Sequence, residues 1–383
     1  MPMTPSLALR LRLHLRRCFT LCALGLAGLA LPLLGACNMS RPYDLAAQMA
    51  NNSVLPRNIN LPAFDPHRKT FECVSEDGRV PKLAPDVLAK ADALHVQALR
   101  LTEGVNANAD DRATREGNKP RLNEIKAAKL WHDAAALGYW KAMLNLANAY
   151  MWGQGVVANP ERAVQMVEQA MRLGIPGAFD MMGTFHKEGQ GVRADSSRAY
   201  GFWQLAADLG SPSAQGWIGS KTKATWDNPP SWWGNRPIGL KMLRCGAAQG
   251  NRMASYELGV SLTSESEDVT DEKGDPAEAL RLYAEGIEAL HNGVRLGCSD
   301  CASYLAATMR NDATPKDPLR AKRYSRLNNY LGRNRDLTLP NLDRMVPLPP
   351  APLPPWDGEI ETLVHKLGPD GVPAPEIDKR FEY

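Results

Sequence analysis

The signatures of a working active site are missing from this chain. No H-E-x-x-H pair, Walker loop or G-x-S-x-G elbow occurs among its 383 residues, so the motif-borne forms of zinc hydrolysis, nucleotide use and serine esterase chemistry are excluded. Past the first forty residues the histidines are sparse. His67, His95, His132, His186, His291 and His365 are scattered without metal-ligand spacing, which leaves no metal site to assign and no cofactor to expect. Basic surplus is missing too. The chain holds 45 Lys and Arg against 42 Asp and Glu, but Arg10, Arg12, Arg16 and Arg17 sit in a segment expected to be cleaved, and without them the balance falls to −1. No Lys/Arg cluster remains to follow a phosphate backbone, so nucleic acid is not an expected partner.

Acid is absent before Asp44. The four arginines lead into an apolar stretch, Cys18 to Leu34, that is short for a spanning helix and broken by Gly25, Gly28 and Pro32. A basic n-region, an apolar h-region and a small-residue ending describe a secretory signal over residues 1–36. Its end, Leu34-Gly35-Ala36-Cys37, resembles a bacterial lipobox. That resemblance implies cleavage before Cys37, lipidation of the Cys37 thiol and residence in the envelope, with Asn38 pointing to the outer membrane. Of the remaining cysteines, Cys18 and Cys22 leave with the signal. Cys73, Cys245, Cys298 and Cys301 stay, an even set that in an oxidising compartment suggests two disulfides with three pairings open. Cys298-x-x-Cys301 has no strand-to-helix context of a redox motif around it, and a structural role is favoured.

What the chain does have is a repeat. Leu137-Gly138, Leu173-Gly174 and Leu209-Gly210 are the same pair at intervals of 36, and Gly153-Gln154-Gly155-Val156 returns as Gly189-Gln190-Gly191-Val192. Such a period marks stacked helical hairpins, which bind macromolecules far more often than they perform chemistry. Counting from Gly138, Gly174, Gly210, Gly250 and Gly297, small residues align four places on (Ala142, Ala178, Ala214, Ala254, Cys301) and nine places on (Ala147, Gly183, Gly219, Gly259, Ala306). They predict close helix packing and put Cys301 inside. Trp131 and Trp203 are repeat-equivalent and read as core.

Ala135 to Gly138, Lys141 to Tyr150 and Gly153 to Val156 resemble the Sel1-like repeat family. The likeness covers residues 124 to 310, with Ile175 to Ala178 and His186 departing from the pattern. It implies an all-α, TPR-like, right-handed solenoid of antiparallel helix pairs with a concave face. The expected layout is a lipid-anchored tether and lead-in segment at 37–85, a repeat domain at 86–335 and an extended proline-rich tail at 336–383. Two insertions interrupt the repeats, one from Lys221 to Pro237 and a polar, acidic one from Ser264 to Asp275. Pro318 to Leu331 is expected as a polar cap helix, and the tail as a strap anchored by Trp356. Trp226, Trp232 and Trp233 lie in the first insertion, where the core has less need of them, and are the candidate partner contacts.

A narrower set of segments is shared with one group. Phe71 to Val74, Arg79 to Pro81, Leu243 to Cys245, Asn341 to Arg344, Pro347 to Pro350 and Pro354 to Gly358 together resemble proteobacterial envelope proteins encoded beside type VI secretion phospholipase effectors of the phospholipase D class. The resemblance implies a periplasmic immunity protein, with no catalysis of its own, that binds and neutralises such an effector. The alternative is an envelope scaffold for protein–protein interaction built on the same repeats.

Overall fold

Helix boundaries are written into the sequence by caps. In the computed structural model, which describes residues 45–102, 122–223, 235–269, 275–311, 316–333, 337–356 and 358–364, Asn159, Asp195, Asp275 and Asp317 each accept from the backbone N–H three residues on. Pro160, Pro276 and Pro318 follow at the first helical position. A short oxygen-bearing side chain satisfies one orphan amide there, and proline needs none. The helices so delimited are α1 (Leu45–Ala50), α2 (Pro85–Thr102), α3 (Leu122–Ala136), α4 (Trp140–Trp152), α5 (Pro160–Arg172), α6 (Pro176–Glu188), α7 (Ser196–Leu209), α8 (Pro212–Lys223), α9 (Arg236–Ala248), α10 (Arg252–Asp268), α11 (Pro276–Arg295), α12 (Ser299–Asn311), α13 (Pro318–Leu331), α14 (Leu342–Met345) and α15 (Glu361–Val364). No strand occurs among the described residues.

The recurrent Leu-Gly pair is the turn inside each hairpin. At Gly138, Gly174, Gly210, Gly250 and Gly297 φ lies between +76° and +114°, a left-handed setting that strains any residue with a Cβ. One residue later the amide of Tyr139, Ile175, Ser211, Asn251 or Cys298 reaches back to a carbonyl of the helix just ended, Ala134, Ala170, Ala206, Gly246 or Gly293. This is the Schellman closure, made five times. It yields five hairpins, α3–α4, α5–α6, α7–α8, α9–α10 and α11–α12, with α2 packed before the first and α13 after the last. The result is a helical solenoid.

Small residues set how closely successive hairpins approach. A Cβ on Gly183 would stand 2.6 Å from the Trp203 ring, so α6 and α7 meet backbone to indole and Trp203 Nε1 donates to the Asp180 carbonyl at 3.2 Å. Trp131 and Trp203 are both buried, and Ala142, Ala178, Ala214 and Cys301 are fully enclosed. The acidic stretch after Ser264 departs from the expected loop. Helix α10 runs on to Asp268, because Leu262 and Val269 are buried on one side of it and Glu265 pairs with Arg236 at 2.9 Å.

Two irregular segments bind this framework. Residues 45–84, in the expected tether and lead-in segment, pack on the repeats. They run across the first helices of successive hairpins, α5, α7 and α9, and return past the turn at Gly210, the start of α6 at Gly177 and the turn at Gly138 before entering α2. Residues 337–364 lie across α11 and α13. The polar cap expected at α13 is therefore a covered helix. Arg320 is buried and donates to the Pro347 and Ala351 carbonyls at 2.8 and 2.7 Å, and Arg323 reaches Met345 and Pro354. Trp356 stacks against the guanidinium groups of Arg323 and Arg326, 5.5 and 6.0 Å from its ring centre.

Candidate functional site

The residues able to recognise another chain sit on the outward side of each hairpin's first helix. Their chemistry is visible because the protein's own two straps already occupy most of that side. On α5, Glu168 accepts from the Arg57 amide at 3.1 Å and from its guanidinium at 2.9 Å, while Glu161 holds the same guanidinium at 3.1 Å. Arg172 donates to the Met49 and Val54 carbonyls, both at 2.9 Å. On α7, Arg198 caps the Arg57 and Ile59 carbonyls, Gln204 accepts from the Asp65 amide at 2.8 Å and Asp208 pairs with Arg68 at 2.8 Å. A Cβ on Gly201 would crowd the Pro62 carbonyl at 3.1 Å, so the strap lies directly on that backbone. These are side-chain readings of a strap that is irregular at Asp65 and holds short turns at Leu45–Ala50 and Pro56–Asn58, the means by which a helical surface selects a peptide without sharing secondary structure with it.

A register unites them. The residue six before the turn glycine is His132 on α3, Glu168 on α5, Gln204 on α7, Arg244 on α9 and His291 on α11. Glu168, Gln204 and His291 each hold a strap and are buried. Arg244 turns instead to Glu285, at 2.5 Å. The sequence contains the signal that points to these residues: a polar side chain recurs at one offset on a helix whose neighbours pack.

The straps are locked covalently and by charge. Cys73 is bonded to Cys245 and Cys298 to Cys301. The first bond joins the N-terminal strap to α9 and spans 172 residues of chain; the second closes a span of 3 at the start of α12. Gln249 and Gln215 both donate to the Val74 carbonyl beside the first bond. The Cys301 amide points at Cys298 Sγ, 3.0 Å away, and neither cysteine is open to solvent. Cys37, Trp226, Trp232 and Trp233, the residues expected to carry lipid or touch a partner, lie outside the described residues.

The closest approach to a catalytic array is His291 with Tyr324 at 2.7 Å and Asp343 at 2.6 Å. Its geometry is that of a clamp. The imidazole and phenol are enclosed, burial holds the Tyr324 hydroxyl far above its ordinary range, and the hydrogen bond from His291 holds Asp343 below the usual carboxylate range. A phenol that keeps its proton is no nucleophile, and Asp343 belongs to the C-terminal strap, so the trio pins that strap to α11. Asp180 is a second enclosed acid. Burial pushes it up to about 6 against the opposing bonds from Ser213 and Ser211. Among the described residues no group of three or more His, Cys, Asp or Glu is placed to hold a metal, and no helix is long and apolar enough to cross a membrane.

Repeat matching agrees with this geometry. The Sel1 repeat family matches residues 115–139, 140–175 and 181–211. These three segments are similar to Sel1 repeats. Residues 301–376, which include the C-terminal strap, match a domain family of unknown function, DUF6396. Among solved structures, the immunity protein PA5088 from Pseudomonas aeruginosa is 23% identical with a TM-score of 0.51, over 74% of this chain and 96% of that one, and it shares the fold. The immunity protein Pa5087 from the same organism is 25% identical, over 74% and 96%, with a TM-score of 0.48. A Sel1 repeat protein from Oxalobacter formigenes is 17% identical, over 64% and 90%, with a TM-score of 0.42. No curated protein matches the chain by sequence.

Proposed function

We propose that this Sel1-repeat protein is a periplasmic immunity protein that neutralises a type VI secretion phospholipase by binding it. One observation carries the reading. The short segments by which the sequence resembles envelope immunity proteins are the fasteners of the straps. Phe71 to Val74 meets Leu243 to Cys245 through the Cys73–Cys245 bond. Asn341 to Arg344 delivers Asp343 to His291, and Pro347 to Pro355 is gripped by Arg320 and Arg323. Segments that carry the resemblance and also fasten this chain's straps are stronger support than the repeats, which many unrelated binding proteins share. The Leu34 to Cys37 lipobox supports an acyl anchor on Cys37, which would hold the inhibitor near the membrane that such a toxin attacks. Inhibition on this reading is occlusion: the complex keeps the lipase from its substrate and consumes nothing.

The test is genetic and biochemical. The phospholipase encoded beside this protein should co-purify with it, and co-expression should rescue cells in which that enzyme is directed to the periplasm. Survival of the cells without the protein, or death in its presence with no complex formed, would remove the reading.

A further inference from the structure

Among the described residues, the first hairpin presents the strap-binding side of a repeat with no strap on it. On α3 the residues equivalent to Glu161, Gln165, Glu168 and Arg172 of α5 are Ile125, Lys129, His132 and Ala136, each 36 positions earlier. With Leu122 they form a stripe at 3- and 4-residue spacing, which keeps one face of a helix. The contrast in cover is large. Glu168 and Gln204 are 5% and 7% exposed, whereas the His132 side chain is 61% exposed, Ile125 is 44% and Leu122 is 65%. Beside the stripe, between α3 and α5, lies a groove of ≈ 540 Å³ floored by Ala136, Met143, Leu146 and Met166. Ala136 stands in it where α5, α7 and α11 carry Arg172, Asp208 and Arg295, and α9 carries Ala248. At its edge Arg57 of the N-terminal strap holds Glu161.

We propose that this vacant slot is where the partner docks, and that it takes an extended segment of the effector bearing acidic and apolar side chains. The inference rests on the immunity reading for the partner's identity, but the slot's chemistry stands on its own. Extension follows from the track: Asp65 meets α7 in irregular chain, and Arg57 meets α5 from a single three-residue 3-10 turn, Pro56–Asn58, set between irregular stretches. Acidity follows from charge. Lys126 and Lys129 on α3 have no ion-pair partner among the described residues, and Arg162 borders the groove with its guanidinium 4.4 Å from the Tyr150 ring centre. Against them stand Asp133, which faces His132 at 3.3 Å, and Glu161, already neutralised by Arg57. The local excess is cationic in a chain whose mature net charge is close to zero, and such local complementarity sets specificity and association rate. The apolar requirement comes from Leu122, Ile125 and the two methionines, since methionine adapts to varied side chains.

The decisive variant is Ala136→Arg, which installs the side chain that α5 and α11 carry at the same place and so leaves the helix intact while filling the groove. A fluorescein-labelled nonapeptide alternating aspartate with leucine serves as probe, beside the same peptide with lysine for aspartate, read by anisotropy with the full mature chain. The acidic peptide should bind at least tenfold more tightly than the basic one. A136R and K129E should each weaken it at least tenfold with unchanged melting temperature, and Leu280→Arg, on an exposed part of α11, should not. Equal binding of both peptides, or undiminished binding to A136R, overturns the slot. In the second arm A136R should lose neutralisation of the co-expressed phospholipase. Full protection by A136R overturns the slot as the docking face, whereas failure of the wild type to bind any phospholipase removes the immunity reading and leaves the peptide arm to judge the slot.

Discussion

Removing each disulfide in turn should separate what the two bonds do. The Cys73–Cys245 bond spans 172 residues and Cys298–Cys301 spans 3. Chain-entropy theory assigns a cross-link a stabilisation that grows with the logarithm of the loop it closes. For the first bond that is about 5 kcal/mol, and for the second about 2 kcal/mol. A folded body of this size gains an unfolding entropy of roughly 0.6 kcal/mol/K, so the melting temperature should fall by about 8 °C for C73S/C245S and about 3 °C for C298S/C301S. The larger loss also releases the N-terminal strap from α9, which exposes the polar grips of α7 to water. Circular dichroism melts of the oxidised wild type and the two double variants read the difference. The order matters more than either value. If C298S/C301S melts at or below C73S/C245S, the loop argument is wrong, and packing of Cys301 against Gly293 governs instead.

Three further outcomes follow from the buried charges. Glu168→Ala strips the half-buried Arg57 of its main partner and leaves it Glu161 alone, and should cost about 2 kcal/mol, as loss of charge-assisted hydrogen bonds does; a urea midpoint within error of the wild type would refute the grip. Asp180 titrates at about 6 in the folded chain against 3.8 for the free group. Its folded value is the higher one, so its contribution is fully present at low pH and is lost as pH rises through 6. Asp180→Asn should therefore stabilise the protein by roughly 3 kcal/mol at pH 8 and by little near pH 4, checked by urea melts at both values. His95, lowered by burial to about 4, acts in the opposite sense. It favours the fold above 6.5 and withdraws that support as pH falls towards 4, so His95→Gln should flatten the acid limb of the stability curve.

Most of the scaffold was legible because it is local. A turn glycine, a capping side chain and a small residue at a fixed offset act within one hairpin, and a period of 36 repeats the message. The straps were not legible in the same way. Glu168 and Arg57 lie 111 residues apart, and nothing near Glu168 announces that its partner is a peptide amide from the N-terminus. Proline richness pointed to a tether and lead-in segment at 37–85 and an extended tail at 336–383. It did not show that extended chain can be fixed by arginine and glutamine side chains as firmly as by a sheet. The acidic stretch after Ser264 failed for a related reason. Its composition is that of a loop, yet Leu262 and Val269 supply enough buried surface for α10 to continue past it. The register six before the turn glycine was present in the sequence, and only the burial of Glu168, Gln204 and His291 gives it meaning.

The straps also bear on which surface a partner can use. In an open helical stack the first-helix side is the usual ground for peptides, but here α5, α7, α11 and α13 have surrendered it to the chain's own ends. Displacing the N-terminal strap would mean breaking the Arg57, Arg68 and Arg172 grips while Cys73 stays bonded to α9, so competition there is blocked covalently as well as energetically. Among the described residues, what remains of that side is the α3 slot and the Arg244 position on α9, where Glu285 has already claimed the guanidinium. A partner that reads extended chain is thereby channelled to one hairpin. The same logic gives the straps a second use: by filling the slots that resemble the vacant one, they keep the repeats from binding peptides indiscriminately, which is specificity gained through occupied rather than altered sites.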